Sequence, residues 1–133
     1  MTKKAYQKNR PSECKKAGFA YENQDSKTIG WNFRFMDDGG QWPCTFKALT
    51  KYRNNLLKYE GKTIAEILNQ PHCHPINCDA LSTPAKNRLG KLNFYDNIVQ
   101  LDIGTPARLW GILHGNIFCL LWIDKKHEVY SAR

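Results

Sequence analysis

The chain has 133 residues, of which 41% are hydrophobic, and a formal net charge of +8 at pH 7. That length suits one domain with a real core and leaves too little for two. The longest uninterrupted apolar run, Ile117 to Ile123, is far short of the roughly 18 to 20 residues that span a bilayer, and the opening MTKKAYQKNR has no apolar signal-peptide core, so a cytoplasmic protein with no membrane partner is expected.

Residues 1–28 read as a basic, flexible arm and residues 29–133 as a single folded domain. Within residues 1–16, Lys3, Lys4, Lys8, Arg10, Lys15 and Lys16 stand against Glu13 alone, so those residues hold five of the eight net positive charges. Like-charged blocks poor in apolar residues favour phosphate backbones through counterion release; a solubilising terminus is the competing reading. Phe19 and Tyr21 are the arm residues expected to pack back onto the domain.

The first predicted strand is Trp31 to Met36, where Trp31, Phe33 and Phe35 alternate with other side chains, and Asp37-Asp38-Gly39-Gly40 ends it in a turn. Phe46, Leu49, Tyr52, Arg53, Leu56 and Leu57 then recur at helical intervals, with Thr45 as N-cap and Gly61 as stop. Thr63 and Glu66 have capping-box spacing for a second helix that Pro71 closes off. The segment Pro71 to Leu81 is expected to be a surface loop. It holds His72, Cys73, His74 and Cys78, four potential soft-metal ligands. Zinc sites usually pair two such clusters, and Cys14, Cys44 and Cys119 each stand alone, so no metal or cofactor is expected and the five cysteines read as free thiols.

Ser82-Thr83-Pro84 begins a third helical piece running to about Leu92. Three strands follow, Ile98 to Ile103, Arg108 to Leu113 and Asn116 to Ile123, joined by Gly104-Thr105-Pro106 and by a tight hairpin at His114-Gly115-Asn116. Strict alternation in the last strand puts Ile117, Cys119, Leu121 and Ile123 on one face and Phe118, Leu120 and Trp122 on the other. Burial is expected to be deepest at Leu101, Trp110, Leu120 and Trp122. The resulting class is α+β: an N-terminal strand, two to three helices, then a three-stranded antiparallel meander with the helices packed on one face of the sheet.

This order resembles the RelE/ParE-like toxin superfamily of bacterial toxin-antitoxin systems over roughly Trp31 to Tyr130. Val99-Gln100-Leu101-Asp102-Ile103-Gly104 and Arg108-Leu109-Trp110-Gly111-Ile112 are similar to the family's central strands. Lys126-His127-Glu128-Val129-Tyr130 is similar to its closing basic-histidine-acidic-valine-tyrosine run. The basic arm, the histidine-cysteine loop and the tryptophan-rich sheet depart from the pattern and resemble divergent bacterial or phage-borne members.

The resemblance implies a ribonuclease that cleaves messenger RNA, with the ribosome and a cognate antitoxin as partners. Attack by a 2′-hydroxyl needs a base, an acid at the leaving oxygen and positive charge around the phosphate, and none of these requires a metal. The catalytic candidates are His127, Arg108, Glu128 and Tyr130; Lys125 and Lys126, with Lys3, Lys4, Arg10, Lys15 and Lys16 of the arm, are the nucleic-acid-binding candidates. His127 ranks first because imidazole exchanges protons near neutrality. Structural alternatives stand beside these roles: a hydrogen-bonded strand end at His127, a solvated turn at Lys125-Lys126, an ion pair between Arg108 and Asp102, and core positions for Trp110 and Trp122. His114 reads as structural. Two other functions stay open, a toxin that binds a topoisomerase without cutting RNA and a phage-borne protein that binds nucleic acid or a host partner. No glycine-rich phosphate loop, serine nucleophile elbow or paired-carboxylate signature points to another enzyme class.

Overall fold

The computed structural model describes residues 26–94 and 97–130. The arm lysines and arginine named above, and Phe19 and Tyr21, lie outside the described residues. Among the described residues no helix is long and apolar enough to cross a membrane.

The fold is α+β, with elements β1 (Gly30–Asn32), α1 (Phe46–Thr50), α2 (Arg53–Leu57), α3 (Ile64–Leu68), β2 (His74–Ile76), α4 (Thr83–Leu92), β3 (Ile98–Asp102), β4 (Arg108–His114) and β5 (Ile117–Asp124). Local chemistry explains most boundaries. The Thr45 hydroxyl accepts the Ala48 N–H, and Thr63 and Glu66 form the reciprocal capping box. Asn93 closes α4 in the left-handed conformation that asparagine tolerates.

Three expectations need correction. The first strand is shorter than Trp31 to Met36, because the Asn32 side chain accepts the Arg34 N–H and Met36 N–H bonds back to Phe33, turning the chain out of the sheet. The single helix after Thr45 is two short ones, since Lys51 ends α1 and Tyr52 leaves helical geometry before α2 begins. The supposed loop after Pro71 contains β2. Pro75 reads as a breaker, but β2 is an edge strand, where a missing N–H is tolerated.

The sheet is also larger than a three-stranded meander. It has five strands in the order β1-β5-β4-β3-β2, with β1 parallel to β5 and the other neighbours antiparallel. The last three strands do pair antiparallel in sequence order, but as the middle of a mixed sheet. Nor do the helices share one face. Leu49 of α1 and Ile64 and Ile67 of α3 pack on Leu101, Leu109, Phe118 and Leu120, whereas Ala85 and Leu89 of α4 pack on Ile98, Trp110, Ile112 and Leu121 on the opposite side. A sheet apolar on both sides needs a cover on each. Leu101, Trp110, Leu120 and Trp122 are all buried, as expected.

A β-bulge breaks the alternation expected in β5. Trp110 is opposite Trp122 while Gly111 is opposite Leu120, which leaves Leu121 as the extra residue. Leu121 and Trp122 therefore share the α4 face, and Ile123 joins Phe118 and Leu120 on the other. Gly111 permits the close approach: a Cβ there would lie 2.4 Å from the Cys119 carbonyl oxygen and 2.6 Å from the Phe118 ring. On the α4 face the Trp122 indole donates to the Asp37 carboxylate, which also takes two hydrogen bonds from Arg88.

Candidate functional site

The site forms at the corner where β3 and β5 end and β4 begins. The strand register sets Asp102, Arg108 and Asp124 side by side in one row across three strands. The alternation of β4 directs Arg108 to the same face as Trp110, the face that α4 covers. Arg108 is almost fully buried. Its Nη1 donates to the Ala107 carbonyl at 3.0 Å and reaches Asp102 Oδ1 and Thr105 Oγ1 at 3.4 Å. The ion pair with Asp102 that competed with a catalytic role is therefore present.

Asp124 is buried at the end of the most apolar strand, and its two carboxylate oxygens accept the backbone N–H groups of Glu128 and Val129, each at 2.8 Å. These bonds curl residues 124–129 back over the sheet end. Val129 enters the α4-side core, and its carbonyl accepts the Ser82 N–H at 2.8 Å, fastening the tail to the start of α4. His127 sits at the crown of this turn with φ at 60°. Its Nε2 is buried without a hydrogen-bond partner. Burial holds its pKa below the usual histidine value, with the Arg108 guanidinium and His72 adding to the effect and Asp124 opposing it. This favours the neutral ring, the form that can take a proton.

Three more buried polar atoms near this corner have no hydrogen-bond partner: Arg108 Nε, Trp110 Nε1 and Gln100 Oε1. Gln100 and Trp110 are cross-strand neighbours, and the Gln100 amide lies 3.4 Å from the His74 ring on β2. Such atoms are uncommon in native cores.

Of the four catalytic candidates, the fold brings His127 and Arg108 together. Glu128 is turned toward Trp42, accepting its indole N–H at 3.2 Å, and Tyr130 packs half-buried against the α4-side core. Lys125 and Lys126 are exposed on the same turn as His127. Trp110 and Trp122 are core residues, so neither is free to stack on a base. The histidine-cysteine segment is divided by the sheet. Cys73 is buried on the α1–α3 side within 3.2 Å of the Tyr59 hydroxyl, while Cys78 packs on the α4 side. Among the described residues no three of His, Cys, Asp and Glu come together to hold a metal.

Sequence reasoning placed Asp124 in the cluster at the strand end but gave it no role, and gave none to Gln100. The available signal was an aspartate directly after seven apolar residues, a position where a carboxylate persists only if backbone donors satisfy it. Comparison of the chain with protein-family models, with curated proteins and with solved structures returned no match.

Proposed function

We propose that this chain is a divergent RelE/ParE-like toxin that cleaves messenger RNA, acting with the ribosome, by metal-independent attack of a 2′-hydroxyl. The observation that carries the reading is His127 held at the crown of the turn fastened by Asp124, where burial, with the Arg108 guanidinium adding to it, lowers its pKa and favours the neutral imidazole that acts as a base. Arg108 is too deeply buried to grip a phosphate itself and is a positioning residue acting through His127. Lys125 and Lys126, exposed on the same turn, supply the positive charge that a phosphate gaining negative character requires. Induced expression is expected to arrest growth and cut messenger RNA. His127→Asn should relieve both, because loss of a proton-transfer group slows such a step by about 100- to 10,000-fold. Asparagine also tolerates the left-handed backbone at this position.

One observation favours the protein-binding class instead. Phe33 and Phe46 are exposed at 44% and 62% and pack on each other with ring centroids 5.2 Å apart, beside the edge strand β1. If toxicity rests on a topoisomerase or another protein partner, Phe46→Asp will abolish it while His127→Asn leaves it intact and messenger RNA stays uncut.

A further inference from the structure

The outward side of α1 and α2 is cationic throughout. Leu49, Tyr52, Leu56 and Tyr59 turn inward onto the core. The opposite side is exposed, with Phe46, Lys47 and Lys51 on the first helix and its cap, and Arg53, Leu57 and Lys58 on the second and its cap. No Asp or Glu occurs between Asp38 and Glu60. Among the described residues the ion pairs are Arg88–Asp37 and Arg108–Asp102, so these four cations have no carboxylate partner. Lys47 and Lys51 stand four residues apart, a spacing at which like charges on a helix repel. A face of this kind gains from a polyanion laid across it.

The apolar groups on this face decide which polyanion. Phe46 is 62% exposed, and its ring is propped on Phe33 at an interplanar angle of 57°. A membrane-surface helix needs a continuous apolar side, whereas Phe46 and Leu57 are separated by the exposed Thr50, Lys51 and Asn54. Lysine is depleted from protein–protein interfaces, and three of the four cations here are lysines. A single RNA strand uses both features, phosphates for the cations and an unstacked base for the ring. The far end of the face reaches the site corner. Asn55, Lys58 and Tyr59 line a hollow of about 160 Å³ with Gln70, Asp102 and Gly104, and Asp102 is the residue paired with Arg108.

We propose that the α1–α2 face binds single-stranded RNA, with phosphates on Lys47, Lys51, Arg53 and Lys58 and one base stacked on Phe46. Binding of this kind requires nothing of His127 and stands apart from the ribonuclease reading. Where both hold, a strand on this face is led to the corner at Asp102.

The test measures binding of the full chain to a short 2′-O-methyl oligouridylate, a single strand with no 2′-hydroxyl to attack, over a series of salt concentrations. Lys47→Gln combined with Lys51→Gln should weaken binding and flatten the logarithmic salt slope by about 1.4, since each phosphate contact to a single strand contributes about 0.7. Phe46→Ala should weaken binding about 5- to 150-fold at an unchanged salt slope, the range for one base stacked on an aromatic ring, and Phe46→Trp should restore it. All three positions are exposed, and unchanged thermal melting checks folding. Wild-type affinity in either the double lysine variant or Phe46→Ala overturns the assignment. So does tighter binding of polyglutamate or of phosphatidylserine vesicles than of the oligonucleotide, lost in the same variants, which gives the face to an acidic protein or a membrane surface. Because the probe cannot be cut by 2′-hydroxyl attack, failure here leaves the ribonuclease reading in place, and a chain that cuts no messenger is still tested for this binding.

Discussion

The carboxylate of Asp124 accepts the backbone N–H of Val129 at 2.8 Å, five residues along the chain, and so turns the end of a buried strand into the platform that carries His127. With the matching bond to Glu128, it satisfies a charge that would otherwise be stranded in the core. Asp124→Ala is expected to destabilise the fold by about 2 to 4 kcal/mol, since each hydrogen bond to a charged group contributes about 1.5 to 3 kcal/mol and the freed N–H groups lose their partner. Urea unfolding measures this. A loss below about 1 kcal/mol would mean that the turn is held by Val129 packing alone.

Gly111 should be intolerant of even a methyl group. In Gly111→Ala the new carbon meets a backbone oxygen at 2.4 Å, which cannot rotate away, and the Phe118 ring at 2.6 Å. A penalty of about 1 to 3 kcal/mol is expected from overpacking. Leu120→Ala, which leaves a cavity on the same face, should cost about 2 to 5 kcal/mol. Near-neutral behaviour of the glycine variant in chemical unfolding would contradict the bulge described here.

Protonation of His127 should weaken the protein. Its pKa in the folded state lies below the unfolded value of 6.5, through burial first and then Arg108 and His72, against Asp124. Between those two values the unfolded chain binds more protons, so stability falls as pH drops below about 6.5 and levels off once the folded-state ring is also protonated. Unfolding free energies at pH 7.5, 6.5 and 5.5 should decline in the wild type, with a shallower slope in His127→Asn. Identical slopes would show that His127 does not sense this environment.

Asp37 gives a second, more acidic signature. Burial raises its pKa, but hydrogen bonds from Arg88, Trp122 and Gly39 outweigh that and leave it below the ordinary 3.8. The stability it provides is complete well above pH 3.8 and is lost as pH falls through the lower, folded-state value. Asp37→Asn should remove this part of the acid transition and change Trp122 fluorescence, because the indole donates to that carboxylate at 2.9 Å.

Thiol reactivity reports on both faces at once. Cys44 has its pKa pushed up to about 12 by burial and by Asp37, and Cys73 and Cys119 are also buried. Of the four described cysteines, the half-buried Cys78 should be the first alkylated in the native protein, with the other three modified only on unfolding. Rapid labelling of Cys73 would mean that the β2 edge opens readily.

The sequence by itself determined the local elements whose signals are short-range. Thr63 and Glu66 state a capping box, Thr45 states an N-cap, and the apolar runs of β3, β4 and β5 with their tight connections state three neighbouring antiparallel strands. It also named His127 and Arg108, though on the strength of a resemblance and not of their placement. Only the tertiary structure decided what depends on partners distant in the chain. β2 exists because β3 offers it an edge despite Pro75. The helices divide between two faces because β5 is apolar on both, and pattern alone does not say which helix covers which side. The bulge at Leu121 shifts Trp122 to the α4 face, a one-residue slip that no alternation rule anticipates. Arg108 changed from a surface cation to a buried residue between Asp102 and Asp124, because strand register joins residues that are far apart in sequence and leaves no local trace of doing so.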